Sequence, residues 1–240
     1  MSEYNFKGIK PESIELLCLN RFNDSKEFYE EHKLELKEGI TVPMRQIVLD
    51  LSGLMYEIDD KIFTDPVRCV SRIYRDTRGN RSKIKYRENM WLMLRRYKNE
   101  YPSAPFFYFE FFPNSFGYGL GFWTWKQSAF KEVHNLILDK PDEWLEALDA
   151  CKQAGLVYGS RDNYKKDMYP NAPKELKPYL SAKNMEFSYN SFDMNKINSS
   201  ALIDEIKLAF DLASPMYTFW AKAYDNMLFK GIIKPEDAMR

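Results

Sequence analysis

Cysteine and histidine are scarce in this chain of 240 residues, which has three cysteines and two histidines. Cys18, Cys69 and Cys151 are far apart and form no C-x-x-C pair, so the spacing predicts neither a disulfide framework nor a thiolate metal site. Neither His32 nor His134 has a second histidine three or four residues away, which leaves a zinc site without its usual ligands. We therefore expect no metal and no cofactor.

Long apolar runs and a net charge are also missing. No stretch reaches the roughly 18 consecutive apolar residues that span a bilayer, and the N-terminus lacks a basic segment followed by an apolar one. The 35 Lys and Arg are balanced by 35 Asp and Glu, so no overall basic surplus exists to hold nucleic acid. These absences predict a cytoplasmic protein with no membrane partner, and they argue against nucleic acid as the main ligand.

Two catalytic or cofactor-binding motifs are absent as well. No G-x-S-x-G nucleophile turn occurs. The glycines at 117, 119 and 121 repeat at a spacing of two, which is not the dinucleotide fingerprint G-x-G-x-x-G. In a strand this repeat leaves one face without side chains, so that a helix or a ligand can approach the backbone, and a packed helix is the favoured expectation.

Apolar residues are abundant and their spacing predicts the fold class. The first sixty residues and those beyond Ser199 have apolar residues at helical spacings of three and four, with Gly39 expected to end the second helix. Period-2 segments fill residues 66–125 and 185–192, beginning with a strand at 67–75. We predict a single α+β domain over residues 1–240, with a mainly antiparallel central sheet covered by helices from both ends of the chain.

The charges are unevenly distributed along the chain. Residues 68–98 contain eleven Lys or Arg against only Asp76 and Glu88, a local excess of nine positive charges. Guanidinium groups bind phosphate and carboxylate bidentately and stay charged at physiological pH. The candidate ligand-binding residues are Arg72, Tyr74, Arg75, Asp76, Arg78, Lys83, Tyr86 and Arg87.

The heptapeptide Arg72–Arg78, followed by Lys83 and by Tyr86-Arg87, resembles the signature of the DUF2461 family of uncharacterised proteins, R-I-x-R-D-T-R-F-S-x-D-K-x-P-Y-K. The order of elements over about residues 12–229 is also similar. The resemblance implies a fold class and no activity. Where family members have Phe-Ser-x-Asp-Lys and then Pro-Tyr-Lys, this chain has lost the acid and the proline. If the missing acid pairs with an arginine, its loss favours an anion; if it is catalytic, its loss impairs the reaction.

Two interpretations of the basic stretch follow. In the first, its side chains converge on a small phosphate- or carboxylate-bearing ligand. In the second, the arginines pair with Asp76, Glu110 and acids of the helices in an internal ion-pair network, and the protein is a structural or interaction protein. The first requires a bulge, strand end or turn near residues 75–78, because Arg72 and Arg75 have opposite parities in a strand. Whether a reaction is catalysed, and the oligomeric state, stay open at this stage.

Overall fold

A computed structural model of the chain describes residues 4–77, 83–124 and 126–239. Within them a six-stranded antiparallel sheet has the order β1-β2-β3-β4-β6-β5. Its strands are β1 Ile62–Phe63, β2 Met90–Arg96, β3 Phe106–Phe112, β4 Ser115–Phe122, β5 Val157–Gly159 and β6 Met185–Ser191. The α-helices are α1 Pro11–Asn23, α2 Lys26–Leu36, α3 Val42–Ile58, α4 Pro66–Cys69, α5 Gln127–Asp139, α6 Pro141–Gln153, α7 Lys177–Leu180, α8 Ala201–Leu212 and α9 Ser214–Phe229. This architecture confirms the α+β prediction.

The helical chain does not stop at Gly39, contrary to the prediction. Lys37–Thr41 form a π-helical turn that joins α2 to α3 without a break. Pro43 has no N–H to bond the carbonyl of Gly39, and a π turn is one way for a helix to accommodate such a residue. A Cβ at Gly39 would lie 2.3 Å from Oγ of Ser13 on α1, so the glycine serves close helix packing.

The core lies on one side of the sheet. Tyr118, Leu120 and Phe122 of β4 are buried there. Phe122 contacts Phe130 of α5 and Trp220 of α9, with ring centroids 5.5 and 6.2 Å apart. The period-2 pattern of β4 therefore places the helices on its aromatic face. None of the helices in the described ranges has both the length and the apolarity needed to cross a membrane.

The glycine row of β4 lies on the opposite, outer face, and the predicted helix packing against it is wrong. Aromatic side chains of β3 cover it instead: a Cβ at Gly121 would lie 2.8 Å from the ring of Phe106. The side chain of Tyr108 crosses β4 at the level of Gly119 and donates a hydrogen bond of 3.0 Å to Oε1 of Glu186 on β6. The glycines thus allow side chains of one strand to reach across the next.

The strand predicted at 67–75 is wrong, because these residues form a short helix and then extended chain with isolated bridges only. Asp65 Oδ1 accepts hydrogen bonds from the backbone N–H groups of Val67 and Arg68, and Pro66 occupies the first helical position, so α4 forms instead of a strand. The chain beyond α4 is extended and pairs with the following segment through two isolated antiparallel bridges, Val70 with Leu92 and Tyr74 with Tyr86. The turn predicted at 78–81 falls outside the described residues.

Candidate functional site

A cavity of about 630 Å³ lies where residues 67–76 run past the outer side of β2. We call this cavity the β2 groove. Residues 67–76 and β2 both contribute to its walls. The two segments are joined by hydrogen bonds: Ser71 N–H donates to the carbonyl of Trp91 at 2.8 Å, and Trp91 N–H donates to Ser71 Oγ at 3.0 Å. These bonds fix the position of residue 72 relative to β2.

Basic side chains dominate the groove. The cationic residues that line it are Arg68, Arg72, Arg87, Arg95, Arg96 and Lys98. Asp76 is the one acid among the described residues that line it. The structure therefore brings Arg72, Tyr74, Asp76 and Arg87 of the predicted set to one cavity.

The other predicted residues are placed differently. Arg75, Lys83 and Tyr86 do not line the β2 groove, and Arg78 falls outside the described residues. Extended backbone explains the separation of Arg72 from Arg75, because side chains an odd number of residues apart point to opposite sides of a strand. Arg75 instead lies in the pairing of the two segments, where its N–H donates to the carbonyl of Lys85.

Tyr86 belongs to a buried aromatic stack. It is 2% exposed and lies against Tyr29 of α2, with ring centroids 5.0 Å apart. Burial raises the pKa of its phenol above the ordinary value. Tyr86 therefore holds the basic segment onto the helices, and its hydroxyl stays protonated at neutral pH.

Asp24 anchors the same segment and was missed as a site residue. Its Oδ1 accepts hydrogen bonds from the N–H groups of Lys85 and Tyr86 at 2.8 and 3.2 Å. Its backbone has φ 48° and ψ 28°, in the left-handed region that ends α1. A contact that spans 61 residues leaves no local signal in the sequence from which Asp24 could have been identified.

Arg87 is fixed at one end of the groove. Its Nε donates to the carbonyl of Arg72 at 3.1 Å, and its guanidinium lies 4.4 Å from the ring centroid of Trp91. Burial, with a smaller contribution from Arg75, lowers the pKa of Arg87 below its ordinary value. The side chain is held by one nitrogen and one ring face, and its terminal nitrogens make no hydrogen bond with the described residues.

Arg95 lies on the floor of the groove and was not predicted. It shares the outer side of β2 with Trp91 and Met93, while Leu92 and Leu94 face the core. Burial lowers the pKa of Arg95 below its ordinary value. Among the described residues, none forms an ion pair or a side-chain hydrogen bond with its guanidinium. Arg95 is thus a partly buried cation without a protein anion beside it among the described residues.

Arg96, the next residue, has the opposite environment. Its side chain is 5% exposed, and its Nε bonds Asp59 Oδ2 at 2.7 Å while Nη1 pairs with Asp225. Burial opposes the charge, but the bonds to Asp225 and Asp59 outweigh it and raise the pKa of Arg96 above its ordinary value. An internal ion-pair network therefore forms at Arg96, which lies outside the family signature and was not among the arginines considered from the sequence.

Glu110, the second acid considered from the sequence for an ion-pair network, lies beside Trp91 on the outer sheet face. Burial, and then the charge of Glu186, raise the pKa of Glu110 above its ordinary value. In the described part of the chain no ion pair joins Glu110 to an arginine of the signature. A metal site is not suggested either, since the described residues contain no group of three or more His, Cys, Asp or Glu side chains placed to hold an ion.

A family model described as "Conserved hypothetical protein (DUF2461)" matches residues 12–219. No curated protein matches the chain.

Proposed function

The chain belongs to the DUF2461 family, whose description assigns no activity, and from the geometry we propose that it binds a small anionic ligand, phosphate- or carboxylate-bearing, in the β2 groove. The observation that carries the proposal is Arg95. Its partial removal from water without a partner carries a desolvation cost, which a bound anion would offset. We assign the groove a binding role and no reaction.

Three further features support the proposal. The volume of about 630 Å³ lies within the range of about 300–1,000 Å³ typical of small-molecule sites. Arg87 is pre-positioned by Trp91 and by the carbonyl of Arg72, so little side-chain entropy would be lost on binding. The apolar Met93 lies between Trp91 and Arg95 and would lower the local dielectric around a bound anion.

The first prediction is that inorganic phosphate or sulfate stabilises the fold through the β2 groove. At a hundredfold excess over the dissociation constant, mass action contributes about 2.7 kcal/mol, which for a chain of this size raises the melting temperature by roughly 5 to 10 °C. Arg95→Met should reduce the phosphate-dependent rise while leaving the melting temperature in plain buffer unchanged or higher, because it removes a partly buried cation that has no protein anion beside it. Thermal melting over a phosphate titration measures both quantities.

Arg161→Met is the matched control. Arg161 is an exposed arginine near the β5–β6 edge of the sheet, paired with Glu186 at 3.5 Å, and its loss should leave the phosphate-dependent rise intact. The proposal fails if phosphate does not stabilise the wild type. It also fails if Arg95→Met melts several degrees lower in plain buffer and keeps the phosphate response, since Arg95 would then be a structural residue.

A further inference from the structure

The cations of the β2 groove are distributed between two ends. Trp91, Met93 and Arg95 follow one another on the outer side of β2. With a rise of about 3.3 Å per residue, the backbone positions of Trp91 and Arg95 are about 13 Å apart. The groove floor is therefore a row with an aromatic residue at one end, methionine in the middle and arginine at the other end.

The Trp91 end has two arginines. Arg87 lies on the Trp91 ring, and its bond to the carbonyl of Arg72 brings the two residues together. The side chain of Arg72 is exposed and lines the groove. This end therefore presents two guanidinium groups, a number that suits a phosphate monoester with its charge of about −2.

The Arg95 end has its own cations. Phe63 of β1 pairs with Arg95, and α4 begins three residues after Phe63. Arg68 of α4 therefore lies at the Arg95 end of the groove. Arg68 and Lys98 line the groove with Arg95. The middle is uncharged, because Met93 lies between Trp91 and Arg95 on the outer side of β2.

We infer that the β2 groove takes an elongated organic bisphosphate, with one phosphate on Arg72 and Arg87, the other on Arg68 and Arg95, and an uncharged body over Met93. This inference rests on the proposed anion binding and specifies its ligand class. A single phosphate would satisfy one end and leave the other cations uncompensated. Two linked phosphates convert the second contact into an intramolecular one and gain affinity without any new group.

The second prediction uses bisphosphonates as molecular rulers. Calorimetric titration compares α,ω-alkyl bisphosphonates of increasing chain length with alkyl monophosphonates of the same carbon number, which control for the apolar body. We expect the affinity to peak at a chain long enough to reach both ends, and there to exceed that of the matched monophosphonate by about tenfold or more. Arg87→Ala and Arg95→Met should each reduce the affinity of that bisphosphonate to the level of the monophosphonate.

The possible failures are distinct. If monophosphonates bind through the groove and bisphosphonates of every length bind no more tightly, the two-ended ligand is wrong while anion binding stands. If neither series nor inorganic phosphate binds, both proposals are wrong. If the bisphosphonate preference persists in Arg87→Ala and in Arg95→Met, the second phosphate lies elsewhere and the inference is overturned.

Discussion

His134 shows at the scale of one residue how burial sets a protonation state. The ring has no exposed surface, and its Nε2 lies 2.8 Å from the carbonyl oxygen of Ala182. Tyr164 and Tyr169 contact it edge-on. Burial lowers the pKa of His134 to about 4, with a small further effect of Lys131, although the bond to Ala182 favours the charged ring. The histidine is therefore neutral, and its Nε2–H donates to Ala182.

The third prediction follows from this shift. Unfolded His134 has a pKa of about 6.5, so between pH 6.5 and 4 the unfolded chain binds more protons and stability falls as the pH falls. From pH 7 to pH 4.5 this contribution is about 2 to 3 kcal/mol. His134→Phe should lose about 1 kcal/mol at pH 7, through the missing hydrogen bond, and should lack this part of the acid sensitivity. Urea unfolding of both proteins at the two pH values measures the difference; equal acid sensitivity would contradict the prediction.

At the scale of the strand, the glycines of β4 allow the neighbouring strands to pack closely against its backbone. A Cβ at Gly119 would lie 2.0 Å from the carbonyl oxygen of Phe187 and 2.9 Å from Cα of Ser188, both on β6. These are backbone atoms, which cannot turn aside as a flexible side chain does. The spacing of two therefore correctly indicated a strand. The reason that glycine occupies these positions is the close approach of the neighbouring strands.

The fourth prediction compares two glycines. Gly119→Ala should destabilise the fold by about 1 to 3 kcal/mol or more, because β4 and β6 must separate locally to admit the methyl group. Gly53→Ala in α3 is the matched control: a Cβ there meets nothing within 4 Å, and alanine should stabilise the helix by about 0.5 to 1 kcal/mol. Chemical unfolding measures both changes. Similar effects of the two substitutions would show that backbone contact is not what requires Gly119.

Arg96 acts at the scale of the whole molecule. It lies at the end of β2, Asp59 follows α3, and Asp225 is on α9, so one guanidinium joins three elements distant in sequence. Tyr217 of α9 adds a hydrogen bond of 2.8 Å to Asp59 Oδ2. The network holds α9 against β2 at the Arg95 end of the β2 groove.

The fifth prediction is that Arg96→Met destabilises the protein by about 3 to 5 kcal/mol, since it leaves the nearly buried Asp59 without its cation. Asp59 is 9% exposed at its side chain. Arg161→Met, which removes an arginine that is 66% exposed, should cost below about 1 kcal/mol. The free energy of urea unfolding distinguishes the two. Equal losses would show that Arg96 contributes no more than a surface pair.

The amino-acid sequence by itself determined the fold class and the basic region. Strands at 106–112, 115–122 and 185–191 were predictable because the alternation of side chains is a local property of extended backbone. The helices at both ends were predictable from their apolar spacing for the same reason. The excess of positive charge at 68–98 also needed only counting.

Tertiary structure alone decided which of those charges meet. Arg95 and Arg96 are adjacent and chemically identical, yet Arg95 is without a protein anion among the described residues. Arg96 is paired with Asp59, which follows α3, and with Asp225 of α9. Tyr86 was predicted to lie beside a ligand. It is buried because Tyr29 of α2, 57 positions earlier in the sequence, packs against it. Alternation assigns a side chain to one face of a strand, but what covers that face comes from distant segments, whose positions follow from packing of the whole chain.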